Sequence, residues 1–119
     1  MKTPIHLLFC AAIAAAMLTG ASRADTPAAP TVQVVIANMA FSPSTLTVAA
    51  GTTVTWVNRD GDAHSVESRD KGFPSSPLLN TGQKYSYTFT TPGTYAYYCG
   101  VHASMTGKIV VTAADATKN

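Results

Sequence analysis

From Thr31 onward the chain is interrupted every few residues by Gly, Pro, Asn or Asp, and the pieces between are rich in Val, Thr, Tyr and Phe. TVQVVI (31–36), TLTVA (45–49), TTVTWVN (52–58) and AHSVE (63–67) read as strands, followed by QKYSYTFT (83–90), TYAYYC (94–99) and GKIVVT (107–112). None carries an apolar stripe at helical spacing. Several alternate with period two, placing Val54 with Trp56, Tyr85 with Tyr87 and Phe89, and Tyr95 with Tyr97 and Cys99. The turns AAGTT, RDGDA and TTPGT supply the reversals. Short half-buried strands at this spacing predict an all-β architecture, an antiparallel β-sandwich of about seven to eight strands. The longest irregular piece, SRDKGFPSSPLLNTG (68–82), reads as a surface crossover between sheets.

Ahead of the strands, MKTPIHLLFCAAIAAAMLTGASRAD joins Lys2 to an apolar run from Ile5 to Leu18, then to small residues, with Ser22 and Ala24 before Asp25. That is the pattern of a secretory signal cut after Ala24, and its apolar run is shorter than the roughly 18–20 residues a spanning helix needs. The expected organisation is therefore a signal peptide over 1–24, a flexible N-terminus over 25–30, one domain over 31–113 and a disordered tail over 114–119. Export predicts a periplasmic protein with no membrane insertion once the signal is removed. The full chain has eight Lys plus Arg and six acids, and Lys2 and Arg23 leave with the signal. A balance near zero argues against nucleic acid or an anionic membrane as partner.

Loss of the signal also removes Cys10, leaving Cys99 as the one cysteine in a compartment that favours disulfides. Such a thiol is either buried and inert, a reactive nucleophile, or masked by a metal. Taken singly, Cys99 reads as a small core residue, His102 as a solvated loop residue and Met105 as a filler of core gaps. Those readings do not explain why the thiol, one of two remaining imidazoles and a thioether share seven residues, CGVHASM. His64, the other imidazole, lies at the start of an expected strand, and a sandwich gathers its loops at its ends. A thiolate and two imidazoles with a weak axial thioether are the ligands of copper electron-transfer sites. Structural zinc asks for four strong ligands where three are on offer, and haem attachment needs a second cysteine.

GTTVTWVNRDGDAHSV (51–66) and YSYTFTTPGTYAYYCGVHASMTGKIVV (85–111) resemble the cupredoxins, the type 1 blue copper proteins of the plastocyanin/azurin group. The likeness covers about residues 32–112. The spacing C-x-x-H-x-x-M is similar to the short ligand loop of the amicyanin-like members, and so is Asn58 six residues before His64. The resemblance implies a Greek-key sandwich binding one copper ion per chain, with His64, Cys99 and His102 as strong ligands and Met105 as the weak axial one. It implies that Asn58 ties the His64 loop to the loop after Cys99, and makes the Ser65 N–H the expected donor to the Cys99 sulfur. It further implies an exposed edge of His102 in an apolar patch where redox partner proteins dock, with Val101 and Ala103 as candidate members; for Met39 the expected role is core packing rather than the patch. Ala103 stands where amicyanin-like loops often carry proline, and segment 68–82 departs from the amicyanin pattern.

The resulting expectation is a soluble, monomeric periplasmic one-electron carrier that is not an enzyme, since copper enzymes on this fold need further histidines. Storage, delivery or sensing of Cu(I) uses the same ligands and stays open beside it. Two further alternatives are a hydrolase with Cys99 as nucleophile and a metal-free adhesive sandwich. The first lacks a helix N-terminus to activate the thiol, and the second makes the loop a coincidence.

Overall fold

A computed structural model describes residues 29–114. The signal expected over 1–24, most of the stretch 25–30, and the tail beyond residue 114 lie outside the described residues. Eight strands follow one another: β1 (Thr31–Ala37), β2 (Ala40–Ser42), β3 (Thr45–Ala49), β4 (Thr52–Asn58), β5 (Glu67–Ser68), β6 (Lys84–Phe89), β7 (Gly93–Tyr98) and β8 (Thr106–Thr112). They form two four-stranded sheets, ordered β2-β1-β4-β6 and β3-β8-β7-β5, and no helix occurs among the described residues.

This is the expected sandwich, but the pairing within each sheet is mixed. β1 pairs with β4 in parallel, as β3 does with β8, and the other pairs are antiparallel. The cause is topological. After β2 the chain crosses to the second sheet as β3 and returns as β4, so β4 reaches β1 by a crossover rather than a hairpin. Turn residues reveal where a chain reverses, not which strand it then meets.

Alternation survives where a strand has one buried face. Val54, Trp56, Phe89, Tyr97, Ile109 and Val111 point inward and are almost wholly buried. Trp56 sits at the centre, its ring centroid 5.5 Å from Tyr97, 5.9 Å from Tyr85 and 6.4 Å from Phe89. Aromatic pairs at such separations add to simple area burial.

Two sequence expectations need correction. The strand expected over 63–67 is confined to Glu67–Ser68, while His64 pairs singly with Leu79, its N–H 3.0 Å from the Leu79 carbonyl and the reciprocal bond 2.7 Å. His64, Ser65 and Val66 are all buried in succession, so the segment is enclosed on every side rather than pleated with one face out. The crossover 68–82 is also more than surface chain. Phe73 and Leu79 are buried, and the Phe73 ring stacks on Trp56 at 5.9 Å with planes 11° apart. Leu79 anchors the His64 end of the sandwich, whereas Phe73 lies among Trp56, Tyr87, Phe89 and Tyr95 in the aromatic core.

Candidate metal centre

The spacing C-x-x-H-x-x-M has a direct backbone meaning. The His102 N–H donates to the Cys99 carbonyl (3.2 Å) and the Met105 N–H to the His102 carbonyl (2.8 Å), so each two-residue gap is a closed turn. The Cys99 N–H in turn reaches the Met105 carbonyl (3.0 Å). Since Tyr98 pairs with Thr106 in the β7–β8 ladder, Cys99 and Met105 occupy the next opposed position. Opposed residues of an antiparallel pair project to the same face, so the buried thioether and the buried thiol share one side of the hairpin. His102 stands at the tip between them, partly exposed.

His64 arrives from the other sheet, on the connection between β4 and β5. Its Nδ1 lies 3.6 Å from Cys99 Sγ and 3.2 Å from His102 Nδ1, and His102 Nδ1 is 3.8 Å from the sulfur. The point equidistant from three atoms so placed lies about 2.1 Å from each, the length of a metal–imidazole bond and close to that of a metal–thiolate bond. The triangle therefore has the size that encloses a first-row metal ion, and its donors suit copper. His64, Cys99 and His102 form the one such His/Cys/Asp/Glu cluster found among the described residues.

The orientation of His64 is fixed from behind. Its Nε2 lies 2.9 Å from Asp60 Oδ2, so the ring proton belongs on Nε2 and the Nδ1 lone pair faces the other donors. Asp60 also accepts from the Asn38 N–H (2.7 Å) and the Met39 N–H (2.9 Å). The Met39 N–H is the main influence holding its carboxyl below the ordinary value; desolvation works the other way, and His64 and Asn38 reinforce the lowering. Sequence reasoning did not identify Asp60. The available signal was an acid four residues before a histidine, and it gains meaning only once the β1–β2 turn is known to fold over the loop.

Ser65 places its N–H 3.4 Å from Cys99 Sγ, and its hydroxyl accepts from the Gly100 N–H at 2.9 Å. The resemblance assigned the tether between the two ligand loops to Asn58, and here the structure differs. Asn58 Nδ2 donates to the carbonyls of Asp62 (2.8 Å) and Leu79 (2.9 Å), and its Oδ1 accepts from the Asp60 N–H (2.9 Å). Asn58 thus shapes the His64 loop and joins it to the crossover. Ser65 makes the link to the chain after Cys99. Both N–H donors of the amide are spent on these two carbonyls, so it has none left to give to the loop after Cys99.

Val101, 56% exposed, and Ala103 flank His102 in the chain and are open to solvent, and Met39, expected in the core, is instead 42% exposed on the β1–β2 turn. Leu78, beside the residue that pairs with His64, is 54% exposed.

A cupredoxin-like domain model matches residues 9–111. Amicyanin-alpha of Methylorubrum extorquens is 38% identical over 116 residues, 88% of this chain and 97% of that protein. Amicyanin of Paracoccus denitrificans is 42% identical over 64% of this chain, although the match spans only 61% of the relative. Among solved structures, a purple cupredoxin from Nitrosopumilus maritimus superposes with a TM-score of 0.64 at 33% identity, covering 68% of this chain and 99% of that one. A copper-containing nitrite reductase from Thermus scotoductus matches with a TM-score of 0.64 at 35% identity, over 70% of this chain and 22% of the reductase. The eight-stranded sandwich, the thiolate and imidazole triangle at one end of it, and these matches place the chain in the cupredoxin family.

Proposed function

We propose that the protein is a periplasmic one-electron carrier, with His64, Cys99 and His102 as the strong copper ligands and Met105 as the weak axial one. The triangle of one buried thiol and two converging imidazole nitrogens carries the reading. Copper bound there supplies one-electron chemistry between Cu(I) and Cu(II). The chain's part is to hold the donors still. Cys99 and Met105 are fixed by strand pairing, His102 by two successive turns, and His64 by Asp60 and by its bridge to Leu79. A site held by the fold between the preferences of the two oxidation states needs little rearrangement when an electron moves. Burial of Cys99 and His64 keeps water and oxidants from the thiolate. The Ser65 N–H directed at the sulfur withdraws electron density and favours the reduced state.

The apolar surface of Val101 and Ala103 beside His102 is the surface on which a redox partner docks, and the imidazole is the short way out for the electron. In this reading the chain passes an electron from donor to acceptor and turns over no substrate of its own, in keeping with His64 and His102 both being used by the one proposed site. Amicyanin-alpha and amicyanin are the relatives that support this reading. The leader at residues 1–24 supports export, and sequencing the N-terminus of protein recovered from a periplasmic extract should give Asp25 first.

One equivalent of Cu(II) is expected to give an intense blue thiolate-to-copper absorption and a reversible one-electron wave at an electrode. Cys99→Ser should remove the blue band. A colourless complex of the wild-type protein overturns the proposal, and a blue complex that yields its ion to an acceptor faster than its electron favours copper delivery.

A further inference from the structure

β1 and β2 are joined by two residues, Asn38 and Met39, with φ of 52° and 56°. Both lie in the left-handed region, as a two-residue hairpin turn requires, but only the asparagine tolerates it well. Met39 stays there with both turn N–H groups held by the Asp60 carboxylate, Asn38 by Oδ1 and Met39 by Oδ2. That same Oδ2 accepts from His64 Nε2. Asp60 is itself fixed through its backbone, whose N–H bonds Asn58 Oδ1 and whose carbonyl accepts from the Thr81 hydroxyl. Three N–H donors from two separate elements thus converge on two oxygens, an arrangement that only a carboxylate satisfies in full.

We propose that Asp60 is a positioning residue coupling the Asn38–Met39 turn to His64, so that contact made on the exposed Met39 turn alters the copper potential. The coupling rests on the copper site proposed above. Its physical basis is competition for one oxygen. When the Met39 N–H withdraws, Oδ2 accepts more strongly from His64, and a more electron-rich imidazole favours Cu(II) and lowers the potential. When the carboxylate is lost, His64 becomes a poorer donor and the potential rises. A partner that seats on the turn would in this way adjust the driving force for its own electron transfer.

The test uses the whole processed protein, with and without copper. Asp60→Asn must set its NH₂ against at least one of the three donors. The variant is expected to lose about tenfold in preference for Cu(II), which at 59 mV per tenfold is a rise of about 59 mV, and Asp60→Glu should restore part of it. Met39→Val, whose branched side chain resists a left-handed φ, should lower the potential. In the copper-free protein the same pattern should appear in the NMR signal of the His64 Nε2 proton and in the amide exchange of residues 38 and 39. That second readout separates the two ideas: wild-type protein without a blue band sinks the copper reading, whereas the coupling is still judged by NMR. An Asp60→Asn protein with wild-type potential or wild-type His64 proton signal overturns the coupling, as does a Met39→Val protein in which neither moves.

Discussion

The Tyr97 hydroxyl and the indole nitrogen of Trp56 are buried near each other in the most aromatic part of the core, and neither makes a hydrogen bond of normal geometry among the described residues. Burial pushes the phenol up to about 12, a shift that the neighbouring Trp56 indole only partly opposes. The folded state therefore keeps its proton where the unfolded chain, with an ordinary value near 10, gives it up. The stability associated with the neutral phenol is complete below about pH 10 and declines as pH rises toward 12, by roughly 2–3 kcal/mol over that window. Tyr97→Phe keeps the ring contacts and removes a hydroxyl that makes no well-formed hydrogen bond among the described residues. It is expected to be neutral or stabilising by about 1 kcal/mol at pH 7, and to unfold less readily than wild type at pH 11. Urea titrations at the two pH values check this, and a Phe variant weaker than wild type at both would show that the hydroxyl has a partner. At this scale the sequence was informative wherever a residue's role follows from its own chemistry. Cys99, His102 and Met105 announced themselves by rarity and spacing. The same spacing could not reveal Asp60, because its carboxylate works through a turn twenty-one residues away, nor the partners of Asn58, because an amide bonds whatever the fold brings to it.

Strand pairing sets a sharper constraint at Gly107, which opposes Tyr97 across β7 and β8. A Cβ there would lie 2.4 Å from both the ring carbon Cζ and the hydroxyl of Tyr97, and 2.8 Å from Cε2. The ring cannot retreat, since Phe41 lies 4.8 Å away edge-on and Trp56 5.5 Å. Gly107→Ala is therefore expected to cost about 1–3 kcal/mol, the usual penalty of overpacking, and Tyr97→Phe should relieve little of it because Cζ remains. Tyr97→Leu in the same chain should recover more, so a double-mutant cycle followed by thermal unfolding checks the assignment. Because Cys99 and Met105 continue the same ladder, a displaced β8 should also broaden the spectrum of the copper-loaded protein. Elements with one buried face were legible from alternation, including β4, β6, β7 and β8. β2 was missed because three residues carry no period, and the segment 63–67 was overextended because Val66 and its neighbours are buried on all sides.

Over the whole molecule, the proposed ligands come from two distant parts of the chain. His64 is contributed by the β4–β5 connection, and Cys99, His102 and Met105 by the β7–β8 hairpin, so an ion bound by all of them fastens the end of the sandwich. The unfolded chain holds only the Cys-His-Met segment together, and His64 lies far from it in sequence. Binding to the folded state must then exceed binding to the unfolded one, and the difference appears as stability. Free copper at 100 times its dissociation constant corresponds to about 2.7 kcal/mol. For a domain of this size that is a rise in Tm of roughly 10–20 °C, reduced by whatever the unfolded segment retains. Calorimetry with and without one equivalent of copper, then with a chelator, measures the increment and its reversal. His64→Ala should abolish most of it while leaving the Cys-His-Met segment able to bind the ion weakly. An increment equal in wild type and His64→Ala would place the ion on the hairpin alone and dissociate metal binding from the closure of the two sheets.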